Sequence, residues 1–413
     1  LKKIYENVPF ISQENYDAQE FSQSNSGATA VSWAVIESDF SYAKDNLPTS
    51  RGGSYVEAGR PLAATAQAFL GKAQLYQNKW SDASSNLDAV INSGKFSLSA
   101  DFNSNWTSSG ENGSESMFAI QYSADDAQSK QGNATGALNH PGGGPFGSCC
   151  GFYQPTQDLL DAYQTSSGLP VALSSRVVVT SDYGVESADA FTPYAGNLDP
   201  RADFTIGRRG IDYNGYGVHI GKEWIRASFA DISGPYLPKK NTFQKSDTNN
   251  QGSGGWGEQL TGINYHIMRY ADVLLMAAEA AVESGDEDKA RGYVNLVRQR
   301  AMNSTTIKAT DGSDAASYDI SLYNTSWAGA QAAARTAVRT ERRLEFGMEG
   351  HRSFDLRRWG VAETVMNNYI TRESQTITTF GKGQTYQAKH NMFPIPLSAI
   401  DGSGGTIKQN TGF

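Results

Sequence analysis

The sequence predicts a mainly α-helical protein, an α/α superhelix of paired helices broken by a large loop-rich insertion with short β strands. Three observations predict it. Apolar residues recur at helical spacing near both ends of the chain. Two of the resulting helical pairs superimpose at one constant offset. Between them, residues 100–262 are dense in Gly, Ser, Asn and aromatic residues, with turn signals throughout.

Taken in order, residues 26–47 carry Ile36, Phe40, Ala43 and Leu47 on one stripe. Residues 60–79 carry Leu62, Ala66, Phe69, Ala73 and Tyr76, and after Trp80 a shorter stripe follows in Ala83, Leu87 and Val90. Far downstream, Ile267, Tyr270, Leu274, Ala277 and Ala281 predict another helix, with Ala290, Val294, Val297 and Ala301 as its partner. Leu70-Gly71, Ala83, Leu87 and Val90 align with Ala277-Ala278, Ala290, Val294 and Val297, the pattern of a tetratricopeptide helical hairpin. Small residues at Gly71 and Ala278 let paired helices approach, and such pairs bury their faces only by stacking on neighbours. The insertion includes GALNHPGGGPFGSCCGFY (136–153), QGSGGWGEQ (251–259) and a β-like run at 176–180. Helix returns at 326–348 and 351–370, on either side of Gly350, and HNMFPIPLSAI reads as extended chain.

The chain has 413 residues, enough for two or three domains. Its net charge of -8 argues against a nucleic-acid partner, which calls for a basic surface. No apolar run approaches the length that spans a bilayer. The opening LKKIYENVPF lacks an initiator Met and a signal-peptide pattern, which reads as a fragment or processed product. Two adjacent cysteines and five scattered histidines make no zinc cage. DFNSNW (101–106) begins like a calcium-binding EF-hand loop but has Trp106 where the loop needs Gly and Asn112 where it needs Glu. No metal, cofactor or catalytic residue is therefore expected.

The run RTERRLEFGMEGHRSFDLRRWG (339–360) mixes both charges. On a helix Glu341 shares a stripe with Ala337, Leu344 and Met348, so a carboxylate falls where an apolar residue belongs. A buried carboxylate needs a cation, and Arg339, Arg342, Arg343, Arg352, Arg357 and Arg358 are candidates. The interleaving favours a structural ion-pair network over a catalytic or anion-binding site.

TERRLEFGMEGHRSFDLRRWG resembles the C-terminal signature of the SusD/RagB family of outer-membrane nutrient-binding lipoproteins of Bacteroidetes. VPFI (8–11), GRPLAATAQAFLGKAQLYQNKWSDA, INSGKFSL, GFYQPTQDLLDAY (151–163), LDPRADFTI (198–206), IMRYADVLLMAAEA (267–280), VNLVRQRA (294–301), FPIPLSAI (393–400) and QNTGF (409–413) continue the likeness in order. The resemblance implies one domain over 1–413, incomplete at its N-terminus, with a helical-repeat part (26–99), a loop-rich ligand-binding insertion (100–262) and a helical-repeat and C-terminal part (263–413). It implies oligosaccharide binding at the cell surface, beneath which a SusC-like TonB-dependent outer-membrane transporter would sit. Membrane attachment would come through a lipid anchor that this chain lacks.

Sugar rings stack their C–H faces on aromatic planes while their hydroxyls take polar partners. The aromatics of Gly- and Asn-rich loops are thus the ligand candidates: Tyr213, Tyr216 and Trp224 with Asn214 in 211–224, Trp256 between glycines, Trp106, and Tyr153 at the end of the Gly-rich run. Each single ring is equally well read as loop packing. Cys149 and Cys150 read either as a vicinal disulfide lining the same site or as two structural thiols. A peptide-binding tetratricopeptide adaptor and, with less support, a glycoside hydrolase are the alternatives. An adaptor would hold its ligand in the helical groove; a hydrolase needs two carboxylates flanking a cleft.

Overall fold

The computed structural model describes residues 1–124, 141–146, 151–225, 234–254, 257–377, 380–381 and 383–413. The first long helix, α1, spans Trp33–Asn46 and begins where the Ser32 hydroxyl accepts the Val35 N–H at 3.2 Å. Ser at this position satisfies a donor that the helix itself cannot. Helices α2 (Ala63–Leu75) and α3 (Trp80–Asn92) form the first hairpin. Helices α4 (Gln157–Ala162), α5 (Tyr270–Glu283), α6 (Glu287–Asn303), α7 (Gln331–Glu345), α8 (Arg352–Arg358) and α9 (Ala362–Thr376) follow. The helical pairs α2–α3 and α5–α6 sit side by side, with α5 packed on α3, α6 and α7.

The repeat logic holds at atomic detail. A Cβ on Gly71 would lie 2.8 Å from Leu87 Cγ, so the first pair closes only over a hydrogen. Ala278, Ala290, Val294 and Val297 are fully buried in the equivalent places of the second pair. Each hairpin turn uses a left-handed residue, Asn78 at φ 59° and Gly285 at φ 83°. Helix α5 is buried from Tyr270 through Val282, which makes it the axis of the main core.

Boundaries differ from the expectation where backbone pairing intervenes. Ile267 belongs to a strand rather than a helix. Strand β1 (Ser116–Ile120) runs antiparallel to the strand at Tyr265–Arg269, with Ile120 opposite Tyr265. The loop-rich part therefore leaves and returns to the scaffold at one place. Inside it, a hairpin pairs Gln251–Gly254 with Gly257–Thr261. The run 176–180 forms no ladder strand. Side chains satisfy its backbone instead: Val179 N–H donates to Asp161 at 2.9 Å, and Gln164 brackets Val177. The expected helix at 351–370 is two helices, split at Gly360, whose φ of 67° ends α8.

The charged C-terminal run builds a buried network. Glu341 is fully buried, as its stripe position predicts, but its partners come from outside the run: Arg201 at 2.7 Å and Arg298 at 2.9 Å. The run's own arginines reach elsewhere, because neighbours along a helix point away from each other. Arg342 bonds Asp272 and Asp355, Arg343 bonds Asp158, and Arg358 bonds Glu279. Glu345 gathers Arg201, Arg269 and Arg300, while Glu349 takes Arg269 at 2.9 Å and Lys240 at 2.7 Å. Burial pushes the Glu345 and Glu349 carboxyls up, but the surrounding cations win, lowering Glu345 and holding Glu349 at about 2.

Candidate functional site

Two concave or aromatic features stand out among the described residues. The first is the hairpin at 210–219. Asp212 accepts the Gly215 N–H at 2.8 Å and the Gly217 N–H at 3.2 Å, and Asn214 adopts φ 47° to make the turn. The Asn214 amide donates to Thr242 at 2.8 Å, and its carbonyl accepts the Lys245 N–H, which ties the hairpin down. Beneath it lies a small core of Phe146, Tyr213, Trp224, Ile225 and Leu237, against which Tyr216 packs half-buried. The Tyr216 ring centroid is 4.8 Å from that of Phe146.

The Tyr216 ring also has Lys245 Nζ 5.7 Å from its centroid, and the other predicted aromatics here are more deeply buried. Tyr213 is 1% exposed, its ring lies against Gly207, and its hydroxyl donates to the Pro238 carbonyl. Trp224 is 8% exposed and is covered by its neighbours. A Cβ on Gly144 would fall 2.4 Å from its ring, and the His219 ring stacks on it at 5.5 Å. Burial, with Arg209 nearby, lowers His219 to about 3, so this imidazole is neutral. Asn214 is buried and committed to Thr242. Trp106, 3% exposed, packs on Phe102 with Lys240 Nζ 4.3 Å above its ring. These four residues build the loops rather than offer a surface, because ring faces already covered by protein cannot take a sugar. Trp256, Cys149 and Cys150 lie outside the described residues.

The second feature is a cavity of about 460 Å³ beside Tyr153. Tyr153 is 40% exposed there, and burial pushes its hydroxyl pKa up. The start of α4, the end of α7, the 347–351 turn, α8 and α9 form the walls. Tyr369 and Tyr386 supply further rings, and Asp158, Arg343 and Arg352 supply charge. Such a mix suits small polar ligands, and the size falls within the roughly 300–1,000 Å³ of ligand sites. No sequence signal pointed to Tyr369, Tyr386 or Arg352 as neighbours of Tyr153, since segments far apart in sequence enclose this space. On the other side of Gly350 and His351 lies an apolar groove of about 360 Å³, lined by Trp33, Phe40, Phe69, Tyr76 and Phe354.

No helix among the described residues is long and apolar enough to cross a membrane, and none of their His, Cys, Asp and Glu side chains group to hold a metal ion. The acidic side chains of the charged run are bonded to arginine or lysine rather than paired across a cleft.

Comparison with known proteins agrees with this architecture. SusD-like protein P25 of Formosa agariphila is 25% identical over 378 residues, covering 89% of this chain. The chain spans 61% of that relative's length. A SusD superfamily protein from Bacteroides vulgatus superimposes with a TM-score of 0.64 at 23% identity, over 100% of this chain and 75% of the other. Surface glycan-binding protein A from Bacteroides thetaiotaomicron, solved in complex with laminarihexaose, gives a TM-score of 0.59 at 21% identity, over 99% and 74%. The profile of the SusD family matches residues 114–413, from the strand that opens the insertion through the charged run to the last residue. With its helical pairs, its loop-rich insertion and a match over most of its length, the chain belongs to the SusD family.

Proposed function

We propose that this protein is a non-catalytic glycan-binding protein that captures oligosaccharides on its loop-rich face. The observation that carries the reading is the Tyr216 platform: a half-buried ring on a hairpin locked by Asp212 and Asn214, seated on Phe146. A ring held this way loses little freedom when a sugar stacks on it, which favours binding. Family membership supports the ligand class, as does the laminarihexaose complex of a structural neighbour. Trp256, Cys149 and Cys150, which lie outside the described residues, remain proposed ligand contacts on sequence grounds, as does Tyr153 in the cavity wall. The captured glycan would pass to a SusC-like TonB-dependent transporter, with the protein held at the outer-membrane surface as a lipoprotein.

A glycan array followed by calorimetry on the full chain tests this. Tyr216→Ala should weaken binding of the selected glycan by about 1 kcal/mol with a nearly unchanged melting temperature. Trp224→Ala should instead cost about 3–5 kcal/mol of stability, as for other buried aromatics. An array on which no glycan binds, or an affinity indifferent to both Tyr216→Ala and Trp256→Ala, would sink the reading. Peptides binding in the groove at Trp33 and Phe40 would favour an adaptor, and product released from an oligosaccharide would favour a hydrolase. Co-purification of the transporter from outer membranes tests the hand-off.

A further inference from the structure

The cavity beside Tyr153 carries a charge that the protein leaves unanswered. Arg342, Arg343 and Arg352 line it together with Asp158 and Asp355, three cations against two anions. Both carboxylates are taken. Asp158 accepts from Arg343 at 2.6 Å, with Arg372 at 3.5 Å. Asp355 holds Arg342 at 3.0 Å and Arg358 at 2.9 Å. Arg342 is further satisfied by Asp272 at 2.9 Å. Among the described residues nothing bonds Arg352: no carboxylate lies within 4.0 Å of its guanidinium, and no carbonyl or hydroxyl accepts from it. His351, also in the wall, adds no compensating charge, because burial lowers it to about 4.

A half-buried guanidinium without a partner is costly. Burial and then the neighbouring Arg343 destabilise its charged form, Asp355 and Asp158 offset part of this, and an incoming anion would offset more. Arg352 is also held in place, with its guanidinium carbon 5.9 Å from the Trp359 ring centroid. A guanidinium presents a flat fork that matches a carboxylate or sulfate with two parallel bonds. Around it stand Tyr153, Tyr369 and Tyr386, rings suited to the C–H faces of a sugar. A cationic, aromatic cavity in a chain of net charge -8 is not a by-product of overall composition.

We propose that this cavity binds an acidic saccharide, with the Arg352 guanidinium gripping the carboxylate of a uronic acid or the sulfate of a sulfated sugar. The ligand's sugar character rests on the glycan-binding reading above; its charge rests on Arg352 alone. No residue of the Tyr216 platform lines this cavity.

Calorimetry on the full chain separates the two ideas. The probes are oligogalacturonate, a sulfated galactan oligosaccharide, the neutral glycan chosen by the array, and inorganic sulfate. At least one acidic oligosaccharide should bind, more weakly at high salt. Arg352→Ala should reduce that affinity about tenfold or more, leave the neutral glycan unaffected and keep a cooperative melt. Arg352→Lys, which keeps charge but loses the fork, should fall between, and Tyr216→Ala should spare acidic binding. Which of the two acidic probes binds distinguishes uronate from sulfate ester. If neither binds while the neutral glycan does, or if Arg352→Ala changes nothing, this proposal fails and the glycan reading stands. Inorganic sulfate binding without either oligosaccharide overturns the saccharide assignment, and silence from every saccharide overturns both readings. Should Arg352→Ala fail to fold, Arg352→Lys and Arg352→Gln carry the same comparison, and unchanged acidic affinity in both overturns the proposal.

Discussion

Glu373, near the end of α9, is 2% exposed, and its two oxygens accept the backbone N–H groups of Gln157 and Asp158 at 3.1 and 3.2 Å. Burial pushes its carboxyl up to about 7 despite those donors. A carboxyl raised on folding keeps its proton where the unfolded chain has lost it. Stability is therefore full below about pH 4.5 and declines as pH rises to about 7, by about 3 kcal/mol. Glu373→Gln should melt higher than the parent at pH 8 and level with it at pH 4.5; equal melting at pH 8 would remove this account. Single residues also show what sequence conveys and what it hides. Glu341 announced itself by occupying an apolar stripe, and it is indeed buried. Its partners Arg201 and Arg298 could not be named, because helical spacing speaks only of neighbours on the same helix. Trp224 misleads for a different reason: Gly144, from a segment far off in sequence, brings its backbone close against the ring and covers it.

At the scale of elements, the paired helices were the readable part. Their stripes depend on local periodicity, which the sequence carries directly. Helix ends were less readable, since backbone pairing at Tyr265–Arg269 claimed Ile267 and a left-handed glycine at Gly360 divided the last long helix. The loop-rich segment was recognisable as such, but not its contacts, which join residues far apart in the chain. The α2–α3 hairpin offers a direct test of close packing. Gly71→Ala gains about 1 kcal/mol of helix propensity but drives a methyl into Leu87, where overpacking costs about 1–3 kcal/mol. The net should be a loss in chemical denaturation. Combined with Leu87→Ala, which vacates the space, the loss should be smaller than the sum of the two single changes. Strict additivity would show that the helices do not meet as closely as 2.8 Å implies.

Across the whole molecule, the buried ions tie the helices to the insertion. Glu345 on α7 holds Arg201 of the insertion, Arg269 of the returning strand and Arg300 of α6. Glu345→Ala would leave three guanidinium groups buried without it, at a cost of about 3–5 kcal/mol. Denaturant unfolding reads this, and a loss under about 1 kcal/mol would mean the network is dispensable. Burial raises Glu349 and Asp355, yet Arg269 and Lys240 bring Glu349 down to about 2, and Arg342 and Arg358 bring Asp355 to about 2. For these groups the sign is opposite to that of Glu373: their stability is present above about pH 4 and lost as pH falls toward 2. The pairing of Ile120 with Tyr265 has a wider meaning. A chain that departs and comes back through one doorway can be rewritten between those points without moving the walls. Several rivets limit the freedom, since any replacement must bring an arginine to Glu341 and Glu345, a lysine to Glu349 and a carboxylate to Arg343. The exposed loops between those rivets are open to revision, so a lineage could alter what the span presents while its helices stayed as they were.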